Sequence, residues 1–258
     1  MRTISIMNLK GGVAKTTSAD NMAYILSKRG YKVLMVDNDK QGDLSRGFKR
    51  RTASGDGINC IMTEDEPDMK RLVKHTDYEN LDIITANLTL LNANREVEMD
   101  LTRPHHDRLK TALDLVCDRY DFAVIDCPPD INVSVINALS ASNDVLIPVE
   151  IDDNTTEGME ELFQQIRKIQ SRLNPDLEKV KCFITKFQKY NEAHRQGIVA
   201  IRKFYPTMQT VIRTSPIVAK STFVKEPVVK YSPRAAASVD YESLVTEYLD
   251  MIGERQNG

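Results

Sequence analysis

The sequence predicts an α/β fold, a doubly wound and mostly parallel sheet flanked by helices. Three observations carry that prediction. Short apolar runs recur along the 258 residues, each about one strand long and apolar enough to be buried on both faces, as parallel strands are. Stretches with apolar residues at helical spacing separate most of them. Alternation of this kind packs as one sheet covered by helices.

The elements follow in order. Thr3 to Asn8 (TISIMN) is a β-branched run and reads as the first strand. Lys15 to Lys28 sets Ala19, Met22, Ala23 and Leu26 at helical spacing, with Gly30 as its stop. Tyr31–Asp37 (YKVLMVD), Leu81–Ala86 (LDIITA), Phe122–Asp126 (FAVID), Val145–Val149 (VLIPV) and Val180–Thr185 (VKCFIT) are the further strands. Helices are expected over about 104–119, 132–142, 156–172 and 191–204. Residues 46–80 hold neither period. Arg46, Lys49, Arg50 and Arg51 form a short basic cluster there, and Gly55 and Gly57 break the chain, so the segment reads as a surface excursion. A last helix, about 236–252, carries Leu244, Val245, Tyr248, Leu249 and Ile252 on one stripe and acidic residues on the other. A single domain over 1–258 is expected.

Composition narrows the function classes. Hydrophobic content is 41% and charged content 28%, ordinary for a globular protein. No apolar run approaches the ~20 residues that cross a bilayer, and the chain opens on strand-like sequence without a signal-peptide layout. The four cysteines are scattered, with no C-x-x-C pair, which argues against a zinc site or disulfide framework and for a reducing cytoplasm. Net charge is −2, but eleven Lys/Arg between Val180 and Arg234 face only Glu192 and Glu226. Such asymmetry suits a polyanion partner on one face, or a face balanced by acidic neighbours in the fold.

The stretch NLKGGVAKTT, residues 8–17, stands between the first strand and the first helix. It departs from G-x-x-x-x-G-K-[ST], with Leu9 and Ala14 at the glycine positions. It still has what a phosphate loop needs. Helix N-termini favour anions. Gly11 and Gly12 let the backbone approach phosphate. Lys15 can reach the β- and γ-phosphates of a nucleotide, and the Thr16 hydroxyl can ligate Mg²⁺. FAVID ends on Asp126, as a Walker B strand does, and VDND places Asp37 and Asp39 at i and i+2, on one side of a strand end. One of that pair would orient the attacking water and the other would support the metal shell. Lys10, just before the loop, could cross a dimer interface to a partner's nucleotide, as an arginine finger does in trans.

KGGVAKTT, VLMVDNDKQGD and YDFAVIDCPP, in this order and spacing, resemble the deviant Walker A ATPases of the ParA/MinD superfamily, and the ParA branch best. NLDIITANLTLLNANREV and EPVVKYSPRAAASVDYESLVTEYL also look ParA-like, so the resemblance covers nearly the whole chain. It implies an ATP- and Mg²⁺-dependent ATPase that forms a nucleotide-sandwich homodimer and binds DNA without sequence preference. Slow hydrolysis would be stimulated by a ParB-type centromere-binding protein, driving plasmid partition or chromosome segregation from a cytoplasmic, nucleoid-associated location. Carried over by motif, Lys10 is the signature lysine on the partner subunit's nucleotide. Gly11, Gly12, Val13, Ala14, Lys15, Thr16 and Thr17 form the nucleotide loop. Asp39 positions the hydrolytic water, and Asp37 and Asp126 stand in the metal's outer shell with Thr16 as ligand. Two departures are Ala14, where glycine is common, and Lys40, where DPQG has proline. In this branch basic residues of the C-terminal half contact DNA, which points to Arg202, Lys203, Arg213 and Lys220. The alternative is a MinD-like ATPase positioning a membrane or protein cargo. It would need a basic amphipathic helix at the C-terminus, which YLDMIGERQNG lacks, so no membrane partner is expected.

Overall fold

The computed structural model describes residues 1–152 and 155–254. From the N-terminus, β1 (Arg2–Ile6) leads through the glycine loop into α1 (Lys15–Lys28), then β2 (Val33–Asp37) and the short α2 (Asp43–Gly47). The 46–80 region continues with α3 (Ile58–Thr63), α4 (Met69–Leu72) and β3 (Val73–His75). Next come β4 (Leu81–Ile84), α5 (Thr89–Met99), α6 (Arg108–Asp114), β5 (Phe122–Asp126), α7 (Val133–Ala141) and β6 (Asp144–Glu150). The last third holds α8 (Thr155–Arg172), β7 (Lys179–Phe187), α9 (Glu192–Phe204), β8 (Thr207–Arg213), α10 (Pro216–Val224), α11 (Val228–Tyr231) and α12 (Ala236–Ile252).

All eight strands form one sheet in the order β3-β4-β2-β5-β1-β6-β7-β8. Every pairing is parallel except β3 with β4. Along β2, Leu34 and Val36 face one core while Val33 and Met35 face the other. That two-sided burial is why the strand reads as a continuous apolar run. One core lies under α3 and α5–α9 and the other under α1, α2, α11 and α12. The loops that follow β1, β2 and β5 leave from the same carboxyl edge of adjacent strands, the edge where open α/β sheets bind ligands.

Three expectations change. The 46–80 segment is no mere surface excursion. Ile58, Ile61, Met62, Met69 and Leu72 are buried in the first core, and β3 adds an antiparallel edge strand. The helix expected over 104–119 is confined to Arg108–Asp114, because residues 100–107 are held as a loop by the Asp100 carboxylate accepting from Arg108 and Thr102. And α5, β8 and α10 occupy stretches with no expected element. The predicted stop at Gly30 holds, with φ at +90°. The end of the C-terminal tail, residues 255–258, lies outside the described residues.

Candidate nucleotide-binding site

The loop after β1 is anchored from three sides. The Asn8 amide donates to the Pro148 carbonyl (2.8 Å) and accepts from Lys10 N (3.0 Å). The Thr185 hydroxyl of β7 donates to the Val13 carbonyl (3.1 Å). Ser18 and the buried Tyr241 share a hydroxyl contact (3.1 Å) that ties α1 to α12. Gly12 has φ +76°, which suits glycine. Ala14 caps α1 at φ 70°, ψ 30°, a left-handed conformation that costs an L-residue about 1–2 kcal/mol. The missing glycine of the usual pattern is therefore a strained alanine on the same backbone path. Lys15 folds back over this loop, its Nζ donating to the Lys10 carbonyl (2.8 Å), and is nearly buried. Burial lowers its pKa, and the nearby Asp126 carboxylate works against that.

The carboxylates converge beside the loop. Asp37 and Asp126 are register partners at the ends of β2 and β5, and both are buried. Asp37 Oδ2 accepts from the Ser45 backbone N–H (2.7 Å) and hydroxyl (2.6 Å), and its Oδ1 accepts from Asp39 N (3.2 Å). Even so, burial pushes the Asp37 carboxyl up to about 6. Asp126 Oδ1 has no hydrogen-bond partner. Burial first, then the Asp37 charge, pushes its carboxyl well above the usual range, against the opposing Thr16 hydroxyl and Lys15 ammonium. Asp39 is more open, its Oδ1 accepting from Gln41 N (2.9 Å), and its charge is felt at both Lys15 and Asp126.

This arrangement fits a hard divalent cation. An orphaned buried carboxylate oxygen, a hydroxyl aimed at the same carboxylate and nearby acids are oxygen donors of the kind Mg²⁺ takes. Among the described residues no cluster of three or more His, Cys, Asp or Glu forms a cage.

Sequence reasoning missed Ser45, Asn8 and Thr185. Ser45 supplies two donors to Asp37 because Gly42 caps α2 in the left-handed region (φ +65°), where a Cβ would meet the Ala86 carbonyl at 2.6 Å. The glycine of DNDKQGD was the visible sign of that turn. Lys10 Nζ pairs with Asp152 of its own chain, and Lys40 Nζ reaches to 4.0 Å from Asp130 in the loop after β5.

The four proposed DNA residues do not sit together. Arg202 and Lys203 end α9, and Arg202 donates to the Met208 and Gln209 carbonyls at the start of β8. Arg213 ends β8, roughly 13–17 Å further along the strand, and is clamped by Asp240 (Nη2–Oδ1 2.7 Å, Nε–Oδ2 2.8 Å). Lys220 is exposed on α10. Part of the positive excess is balanced inside the fold, through Arg213–Asp240 and Lys186–Glu150.

A family model described as AAA domain matches residues 1–179. The sporulation initiation inhibitor protein Soj of Bacillus subtilis is 34% identical over 95% of this chain and 97% of its own length. The chromosome partitioning protein ParA of Caulobacter vibrioides is 31% identical over 99% of this chain and 97% of its own. The chain belongs to the ParA/MinD superfamily of P-loop ATPases. A solved structure, a putative plasmid partition protein of Borrelia burgdorferi bound to AMPPNP, superposes with a TM-score of 0.82 at 26% identity, covering 97% of this chain and 99% of that one. The KGGVAKTT loop of this chain lies between β1 and α1 of the eight-stranded sheet.

Proposed function

We propose that this chain, as one domain, is a partition ATPase. In the ATP state it forms a nucleotide-sandwich homodimer, binds DNA without sequence preference, and hydrolyses ATP slowly under stimulation by a ParB-type partner. The observation that carries the ATPase reading is the meeting of Lys15, Thr16, Asp37, Asp39 and the unpartnered Asp126 oxygen at one sheet edge. The names of the Bacillus and Caulobacter relatives support the partition role.

The residues divide the work as follows. The N–H groups of Gly11–Thr16 at the start of α1 hold the phosphates. The Lys15 ammonium leaves the Lys10 carbonyl to meet them. Thr16 would hold Mg²⁺ directly, with Asp126 and Asp37 behind it. Mg²⁺, when bound, neutralises charge developing on the β- and γ-phosphates. Ser45 fixes the Asp37 carboxylate, and Asp39, the more open acid, orients the attacking water. Lys10 exchanges Asp152 for a partner subunit's nucleotide in the dimer. Arg202, Lys203, Arg213 and Lys220 are the proposed phosphate contacts of DNA. Arg213 contributes least, because Asp240 already neutralises it.

The test measures steady-state ATP turnover and duplex binding together, with ATP, ADP or no nucleotide, over a salt series. Turnover that needs Mg²⁺ and Asp39, with ATP-dependent duplex binding that falls steeply with salt, is expected. Turnover without duplex binding in any nucleotide state would turn the reading toward a MinD-like ATPase with another cargo.

A further inference from the structure

Lys40 is a charge at the carboxyl edge that neither the glycine loop nor the acids employ. It takes the second place of a tight turn, Asp39–Gly42, closed by the Gly42 N–H donating to the Asp39 carbonyl (2.9 Å). Asp in the first place and Gly in the fourth suit such a turn, and the second place favours proline, whose ring presets φ. Lysine presets nothing there, so the turn gives no reason for it. The backbone around it is held nonetheless. Asn38 N donates to the Asp126 carbonyl (3.0 Å), Gln41 N to Asp39 Oδ1 (2.9 Å) and Arg51 Nε to the Gln41 carbonyl (3.0 Å). The freedom of residue 40 is in its side chain.

That side chain is the least committed cation at this edge. Lys15 donates into its own loop at 2.8 Å, and Lys10 pairs with Asp152. Lys40 has one ionic partner among the described residues, Asp130, at the outer limit of an ion pair (4.0 Å), and both side chains are exposed (37% and 47%). An exposed pair this long contributes little to stability. It does show where the ammonium stands. Asp130 follows Asp126 in the loop after β5, and its charge is felt at the Lys15 ammonium. Asp130 is thus within electrostatic range of both lysines, and Lys40 stands at the rim of the group that Lys15 and the acids form.

We propose that Lys40 is a further catalytic residue, its ammonium leaving Asp130 in the ATP state to bind a γ-phosphate oxygen of the nucleotide on its own chain. The inference rests on the nucleotide reading and adds a cation acting in cis to it. A triphosphate carries several negative charges against the one on Asp130, so it wins a weakly held ammonium. Lys40 follows Asp39 directly, so this cation comes from the same turn as the acid that orients the water. Charge spread over the oxygens of the transferred phosphoryl group is what a cation stabilises in such a transition state. ADP lacks the group that Lys40 meets, so the ammonium returns to Asp130 after hydrolysis.

Binding and chemistry are measured apart, by calorimetry with AMPPNP and with ADP, and by single-turnover ATP hydrolysis, all with Mg²⁺. Lys40→Pro removes the ammonium and keeps the turn, whereas Lys40→Arg keeps the charge. Lys40→Pro is expected to cut the preference for AMPPNP over ADP roughly two- to fivefold, the scale of one exposed ion pair, and to leave ADP affinity unchanged. It is expected to slow single-turnover hydrolysis at least roughly tenfold. Lys40→Arg is expected to restore most of both. Asp130→Asn, which frees the ammonium, is expected to raise the preference for AMPPNP. Equal slowing by Lys40→Pro and Asp130→Asn would make the pair a structural clasp between two loops and overturn the proposal. An unchanged preference and rate in Lys40→Pro sink this inference alone, whereas a wild-type chain that binds neither nucleotide sinks the nucleotide reading with it.

Discussion

The two edges of the sheet treat a buried aspartate in opposite ways. At the amino edge, Asp144 opens β6, fully buried and fully satisfied. Arg2 donates to it twice (2.6 and 2.8 Å) and the Tyr248 hydroxyl once (2.6 Å). Arg2 also holds Glu178 (2.8 Å), and these contacts raise the Arg2 pKa further. At the carboxyl edge, Asp126 closes β5, equally buried, with one oxygen unpartnered and its pKa pushed up. The amino edge spends its charge on holding the strands in place. The carboxyl edge keeps charge unsatisfied, which a cation and phosphates would complete. The contrast separates a satisfied acid from an unsatisfied one where burial alone does not.

The same substitution at the two edges should therefore act with opposite sign. Asp144→Asn leaves Arg2 facing a neutral amide and is expected to cost about 3–5 kcal/mol in urea denaturation. Asp126→Asn is expected to stabilise the nucleotide-free protein by roughly 1–3 kcal/mol, because an unsatisfied buried charge is removed. Equal losses from both would break the comparison. Lys15→Ala comes next. It should leave folding nearly intact while lowering ATP turnover by roughly 10²–10³-fold, the scale for losing one electrostatic contact to the transition state. A drop below tenfold in single-turnover experiments would count against the role given to Lys15.

A smaller effect concerns pH. Asp20 lies one turn into α1, its Oδ1 buried and unpartnered, and burial pushes its carboxyl up to about 8. The folded chain then keeps a proton there that the unfolded chain releases above about pH 4. Stability from this group is thus full below pH 4 and is lost as pH rises toward 8. Asp20→Asn is expected to flatten that fall, stabilising by roughly 1–3 kcal/mol at pH 8 and by almost nothing at pH 4. An unchanged pH slope in thermal melts would show that the Asp20 carboxylate is solvated after all. Ala14→Gly has the smallest effect. Relief of the left-handed strain, less the entropy of glycine, leaves about 0.5–1 kcal/mol of stabilisation. Unchanged stability would mean that the loop absorbs the strain elsewhere.

Much of the carboxyl edge was legible in the sequence. Its parts are contiguous (KGGVAKTT) or close strand-end signals (VDND, FAVID), and a parallel sheet brings strand ends of this type to one edge. The central strands were legible for a related reason: burial on both faces leaves unbroken apolar runs. The elements that escaped notice are those burial marks least. β8 is an edge strand only partly covered, α10 buries Ser221 alone, and α5 interrupts its apolar stripe with Asn94. The 46–80 region looked like surface because its helices are too short to show a period, although Ile58 and Leu72 are wholly buried.

What the sequence determined by itself was the class of sheet, the glycine loop between β1 and α1 and the acids beside it. Local chain geometry and hydrophobic period suffice for those. Tertiary structure alone decided which acid is satisfied and which is left wanting. Asp144 meets Tyr248 across 104 positions, Thr185 meets Val13 across 172, and Arg213 is neutralised by Asp240 across 27. No local pattern records such pairings, because hydrogen bonding and desolvation depend on what packing brings near and not on what the chain places next.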